Sequence, residues 1–152
     1  MPKLKQAYTL AELIIAVLLL GILTAIAVPR MNFAVLSKQK ADTVARRIVT
    51  DLRRTRSLAI SDAATNTEGY KLQLLGVALY DRYEIVNLDT EVVIDSYSID
   101  PRAACAGGKS FKFGPLGNLL AGSDNQLTVS AEGKIFTIDI IAATGTIKCT
   151  QN

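Results

Sequence analysis

The sequence predicts an α+β fold, in which one long N-terminal helix leads into an antiparallel β-sheet domain and covers it with its second half. Three observations carry this reading. Residues 13–28 are uncharged and almost wholly apolar, apolar residues then recur at helical spacing as far as Ala59, and from Gly69 onward they alternate with polar ones. Several short strands with Gly-rich turns after a single long helix make an α+β domain.

The composition removes much chemistry at once. The chain has 152 residues with no histidine, no tryptophan and two cysteines. A histidine-built zinc site, a histidine general base and a Ser-His-Asp triad are excluded, and two cysteines are too few for a four-cysteine zinc site or a usual iron–sulfur cluster. No cofactor, no metal and no enzymatic activity are expected, although acid–base chemistry by Asp and Glu alone stays allowed. The net charge of +3 hides an uneven distribution. Seven basic residues from Lys38 to Arg56 stand against Asp42 and Asp51, whereas from Ser57 onward seven basic residues face eleven acidic ones. A basic band therefore borders a mildly acidic C-terminal part.

The first element is a membrane-spanning helix. From Tyr8 to Val28 it is roughly 30 Å long at about 1.5 Å per residue, which matches the hydrocarbon core of a bilayer. Lys3 and Lys5 precede it, so the N-terminus stays in the cytoplasm and the rest is translocated. A secretory signal peptide cleaved near Thr24-Ala25-Ile26-Ala27 is the other reading, but Pro29 and Arg30 follow immediately. Glu12 is the anomaly of this segment. A carboxylate in lipid either snorkels into the headgroup region or neutralises a cation on a neighbouring chain. Pro29 lacks the N–H that would close the turn behind it, so a kink or local melting is expected from Ala25 to Pro29.

The run Lys5-Gln6-Ala7-Tyr8-Thr9-Leu10-Ala11-Glu12-Leu13, the apolar stretch and Pro29 together resemble the class III signal and N-terminal helix of the type IV pilin and type II secretion pseudopilin superfamily. The resemblance implies a pilin-like fold and a cut by prepilin peptidase between Ala7 and Tyr8, followed by methylation of the new N-terminus. It also makes Glu12 the glutamate that pairs with a neighbour's N-terminal amine during assembly, and Pro29 the helix-loosening proline. The family usually has glycine before the cut and phenylalanine after it. Here Ala7 is the smallest available change and Tyr8 keeps the aromatic ring. The implied organisation is a leader at 1–7, a membrane and assembly helix at 8–29, an amphipathic helix half at 30–62 and a β-rich periplasmic domain at 63–152, with a globular unit from about residue 30 to 152.

The helix continues beyond Pro29 as an amphipathic one. Ala41, Val44, Ile48, Leu52, Thr55 and Ala59 form one stripe to pack on a sheet, while Arg46, Arg47, Thr50, Arg53 and Arg54 gather opposite. Helical character fades near Asp62, where a polar connection begins. Strands are expected at Tyr70–Leu74, Val77–Tyr80, Tyr83–Leu88, Val92–Ile99, Ser110–Phe113, Gln126–Ala131, Lys134–Ile141 and Thr146–Cys149, with tight turns at Ala131-Glu132-Gly133-Lys134 and Ala142-Ala143-Thr144-Gly145. The stretches Arg56-Ser57-Leu58-Ala59-Ile60, Ser110-Phe111-Lys112-Phe113-Gly114-Pro115-Leu116-Gly117 and Thr144-Gly145-Thr146-Ile147 resemble those of minor pseudopilin H and FimT-type minor pilins.

Cys105 and Cys149, exported to an oxidising compartment, are most simply one disulfide closing a loop of about 45 residues, which can contribute roughly 4 kcal/mol; two separate thiols are the other reading. Arg46, Arg47, Arg53 and Arg54 suit DNA phosphates, contact with another subunit, or plain solvation, and no stacking aromatics accompany them. Gly107-Gly108-Lys109-Ser110 looks like the end of a phosphate loop but lacks the opening glycine, whose place is taken by Ala103. The expected function is that of a structural, minor subunit of a type IV pilus or type II secretion pseudopilus. It would sit in the inner membrane as a single-pass protein and then in an extracytoplasmic filament. Its expected partners are other subunits, prepilin peptidase, the inner-membrane assembly platform and the membrane itself. DNA binding during uptake, or a non-polymerising anchored periplasmic binding protein, are the alternatives.

Overall fold

A computed structural model describes residues 9–27, 33–77 and 79–152. Among the described residues two helices, α1 (Leu10–Ala27) and α2 (Phe33–Ser61), precede eight strands: β1 (Tyr70–Leu75), β2 (Arg82–Asn87), β3 (Val93–Ser98), β4 (Ala104–Gly107), β5 (Ser110–Phe113), β6 (Gln126–Ala131), β7 (Lys134–Ile141) and β8 (Thr146–Gln151). The chain divides into two compact units, Met1–Phe33 and Ala34–Asn152.

In the first unit, α1 is apolar on every side, and its described large side chains from Leu10 to Leu23 are exposed. Among the described residues no helix is long and apolar enough to cross a membrane. The eighteen residues of α1 reach about 27 Å at about 1.5 Å per residue, a little under the ~30 Å of a hydrocarbon core. The expected single helix is described as two segments. Ala7, Tyr8 and Pro29 lie outside the described residues, and of the stretch from Ala25 to Pro29 where a kink is expected, Ala25–Ala27 are helical and the rest lies outside them.

In the second unit, α2 buries Ala41, Ala45, Ile48, Leu52, Thr55 and Ala59, a four-three spacing that holds one face of the helix against the strands. The alanines let the helix approach closely, and Ile48 and Leu52 fill the space between them. Thr55 donates its hydroxyl to the Asp51 carbonyl at 2.7 Å, so a polar side chain is buried without an unpaired donor. The strands form two four-stranded antiparallel sheets, ordered β3-β2-β1-β5 and β4-β6-β7-β8. Alternate residues point inward: Leu72, Leu74, Tyr83, Ile85, Phe111 and Phe113 from the first sheet, and Leu127, Val129, Phe136, Ile138 and Ile140 from the second. They make one core with the buried face of α2. The β6–β7 turn is formed as expected, with Glu132 and Gly133 both at positive φ, as a two-residue hairpin requires.

Two expected elements are corrected. The strand expected at Val77–Tyr80 is the connection between β1 and β2, because the Asp81 N–H bonds the Leu75 carbonyl and turns the chain back. Conversely, Ala104–Gly107 is a strand that its own residues do not announce. It forms because β6 offers a ladder to it, with Cys105 opposite Val129.

The expected disulfide is also corrected. Cys105 and Cys149 are free thiols, the first buried and the second exposed. They sit on β4 and β8, the two outer strands of one sheet, and three strand spacings of about 4.8 Å put roughly 14 Å between them, well beyond the ~6 Å between Cα atoms that a disulfide needs. A thiol reagent is therefore expected to titrate one cysteine in the folded chain and two after denaturation; a bond that reductant must break first would contradict this arrangement.

Burial pushes the Cys105 thiol up to about 11. Burial, followed by the hydrogen bond to Asp51, likewise raises the Tyr83 phenol above its ordinary value. Both groups are held neutral in the fold and ionise at lower pH when unfolded, at about 8.5 for Cys and about 10 for Tyr. Their contribution is fully present below those unfolded values and is lost as pH rises through the folded ones. Denaturation midpoints should fall steadily above about pH 9, and more gently in Tyr83→Phe.

Candidate assembly site

The N-terminus of α1 is closed by two side chains. Thr9 caps the helix: its carbonyl accepts the Leu13 N–H at 3.2 Å, and its hydroxyl oxygen accepts the Glu12 N–H at 3.3 Å. Glu12 reaches back in return, and its Oε2 accepts the Thr9 N–H at 2.9 Å and the Thr9 hydroxyl at 3.1 Å. This reciprocal pair is a capping box, and it places a carboxylate at the positive end of the helix dipole.

The arrangement changes how Glu12 is tolerated among apolar residues. Part of its charge is answered within its own first turn, while Oε1 accepts no hydrogen bond among the described residues and stays available to an ammonium. Thr9 was legible in the sequence. Thr-x-x-Glu directly before an apolar run is a helix-start signature, and attention to Glu12 as a lipid anomaly passes over it.

The α2 arginines form no single surface. Arg47 lies over the Tyr97 ring at 4.4 Å, and Arg54 reaches Asp95 at 2.6 Å and the Tyr97 hydroxyl at 3.2 Å, so both turn toward β3. Arg46 pairs with Asp42 one helical turn back, at 2.8 Å. Together with Arg53 it borders a cavity of about 430 Å³ beside β8, where Phe136, Cys149 and Gln151 form the far wall. Residues 46 and 53, like 47 and 54, lie seven apart and share a face, and the two pairs address different sheets.

Beneath Arg47 and Arg54 runs a polar seam. The Tyr83 hydroxyl donates to Asp51 Oδ2 at 2.5 Å, with Asp51 only 7% exposed, and the Tyr83 and Tyr97 rings lie 5.5 Å apart. Sequence periodicity had no place for Asp51, which falls on the buried side of α2 beside Leu52. The Gly107-Gly108-Lys109-Ser110 stretch is already occupied: the Lys109 and Ser110 N–H groups both donate to Asp124 Oδ2, at 2.7 and 2.9 Å. The aspartates Asp95, Asp100 and Asp139 are scattered and form no common site. Asp95 meets Arg54, Asp100 meets Lys40, and Asp139 accepts from Gln126.

Residues 2–28 match the family model of the prokaryotic N-terminal methylation motif, a type IV pilin-like prepilin signal. The matched stretch contains the capping box and all of α1, and it implies prepilin peptidase processing and a membrane-anchored, extracytoplasmic product. No curated protein and no solved structure matches the chain.

Proposed function

We propose that this chain is a minor structural subunit of a type IV pilus or type II secretion pseudopilus and performs no catalysis. It is held in the inner membrane by α1 as a single span until α1 exchanges lipid for the helices of other subunits. The observation that carries this reading is the methylation motif at residues 2–28, with Glu12 capping α1 while keeping one carboxylate oxygen for an incoming amine. The placement in the minor pseudopilin H and FimT-type group rests on the sequence resemblance of residues 56–60, 110–117 and 144–147. Contact with other subunits is the reading we favour for the arginines over DNA uptake, since Arg47 and Arg54 are engaged by Tyr97 and Asp95.

A non-polymerising anchored binding protein needs neither processing nor Glu12, which gives the test. Mass spectrometry of the mature chain from an intact envelope should find an N-terminus at Tyr8 carrying a methyl group, and Ala7→Lys should leave the full-length precursor. A native chain that still begins at Met1, or that begins beyond Pro29, overturns the reading.

A further inference from the structure

The β1–β2 connection leaves two large aliphatic side chains uncovered. Val77 is fully exposed and Leu79 is 65% exposed, in a turn whose neighbours Gly76 and Tyr80 face a shallow cavity of about 370 Å³ shared with Lys109. The Tyr80 hydroxyl donates to the Gly107 carbonyl at 3.0 Å, which ties the base of the turn to β4. An uncovered aliphatic pair on an anchored turn is a contact surface in search of an apolar partner.

Its position in the domain says which partner. Along α2, Arg54 meets Asp95, Arg47 meets Tyr97 and Lys40 meets Asp100, so β3 runs toward the start of α2. The Ile99 N–H bonds the Asp81 carbonyl and the Asp81 N–H bonds the Leu75 carbonyl, which brings the β1–β2 turn to the same pole. The opposite pole holds the end of α2, where Asp62 accepts from the Tyr70 hydroxyl and Arg56 donates to the Gly117 carbonyl. Phe33 to Lys40 is about 10 Å of helix, and residues 28–32 alone separate α2 from the end of α1. The exposed turn therefore belongs to the end of the domain that is tethered to the apolar helix.

The charges at that pole fit the same surface. Lys109 lines the cavity with Val77 and Leu79, and Arg102 and Lys40 stand beside Asp100. The Arg102 N–H and the Lys40 ammonium hold the Asp100 carboxyl below its usual range, and the other acids there are Asp81 and Asp124, the second of which is already engaged by the Lys109 and Ser110 N–H groups. Aliphatic residues flanked by a tyrosine and cations are the composition that settles at a headgroup boundary.

We propose that the Val77–Leu79 turn rests on the outer face of the membrane that holds α1, with Lys109 and Arg102 on anionic lipid headgroups, as a second membrane contact of the unassembled subunit. This rests on the reading of α1 as a membrane anchor. It would hold the domain on the membrane surface until other subunits take it up.

The chain contains no tryptophan, so a single introduced indole reports alone. Full-length Leu79→Trp and Val77→Trp, and Leu116→Trp at the opposite pole, would be reconstituted in vesicles of phosphatidylethanolamine and phosphatidylglycerol with acyl chains brominated near the headgroup. The reporters at 79 and 77 should emit further to the blue than the reporter at 116 and lose intensity to the brominated lipid, with less loss when phosphatidylcholine replaces phosphatidylglycerol. Water-like, unquenched emission at both positions overturns the inference. So does a blue shift without quenching that grows with protein density, which means that a second copy covers the turn. Resistance to carbonate extraction is read in the same vesicles. Loss of retention sinks the anchor itself, whereas retention with unquenched reporters sinks only the second contact.

Discussion

Glu12→Gln is expected to leave the chain processed and in the membrane while its share of sheared filaments falls roughly ten- to a hundredfold. The range follows from one charge-assisted hydrogen bond, worth about 1.5–3 kcal/mol, at about 1.4 kcal/mol per factor of ten. Glutamine keeps the size and can still accept from the Thr9 N–H, so the cap is largely retained while the charge that answers an ammonium is gone. Thr9→Ala makes the complementary change. It removes the cap, at about 1 kcal/mol, and leaves the carboxylate in place. Near-normal incorporation of Thr9→Ala beside failure of Glu12→Gln assigns the residue to pairing between chains. Equal failure of the two would reduce Glu12 to a helix cap.

The second large effect belongs to the globular domain. Tyr83→Phe is expected to lower its stability by about 2–3 kcal/mol, because the Asp51 carboxylate, 7% exposed, loses the hydroxyl that donates to it. Asp51→Ala costs about 1–3 kcal/mol by leaving that hydroxyl without an acceptor. Changing both, as Asp51→Leu with Tyr83→Phe, removes the polar pair together and should cost less than the sum of the single changes. Denaturant unfolding of the four proteins measures the coupling, and strict additivity would mean that the seam is solvated.

The parts legible in the sequence are those where one physical signal dominates. The apolar run gave α1, the helical spacing of Ala41, Ile48, Leu52, Thr55 and Ala59 gave the buried face of α2 except that Ala45 is buried and Val44 only half-buried, and alternation gave β6 and β7. The errors fall where partners outweigh local preference. Ala104–Gly107 has no alternating pattern and becomes a strand because β6 pairs with it, while the β-prone residues around Val77 are bent into a turn by the Asp81–Leu75 hydrogen bond. The cysteine pairing failed for a related reason. Redox compartment and cysteine count suggest a bond, but strand order decides the distance, and strand order is not local information. At the assembly site Glu12 is conspicuous because it is costly and Thr9 is marked by its spacing from Glu12, whereas Asp51 looks ordinary until its partner Tyr83 is known.

The carboxylate of Asp124, seated on the Lys109 and Ser110 amides, settles a competition before any solute arrives. Being covalently tethered, it faces those two donors at an effective concentration in the millimolar range or above, and it can return as often as it leaves. A diffusing phosphate below that concentration would be outnumbered by an occupant built into the chain.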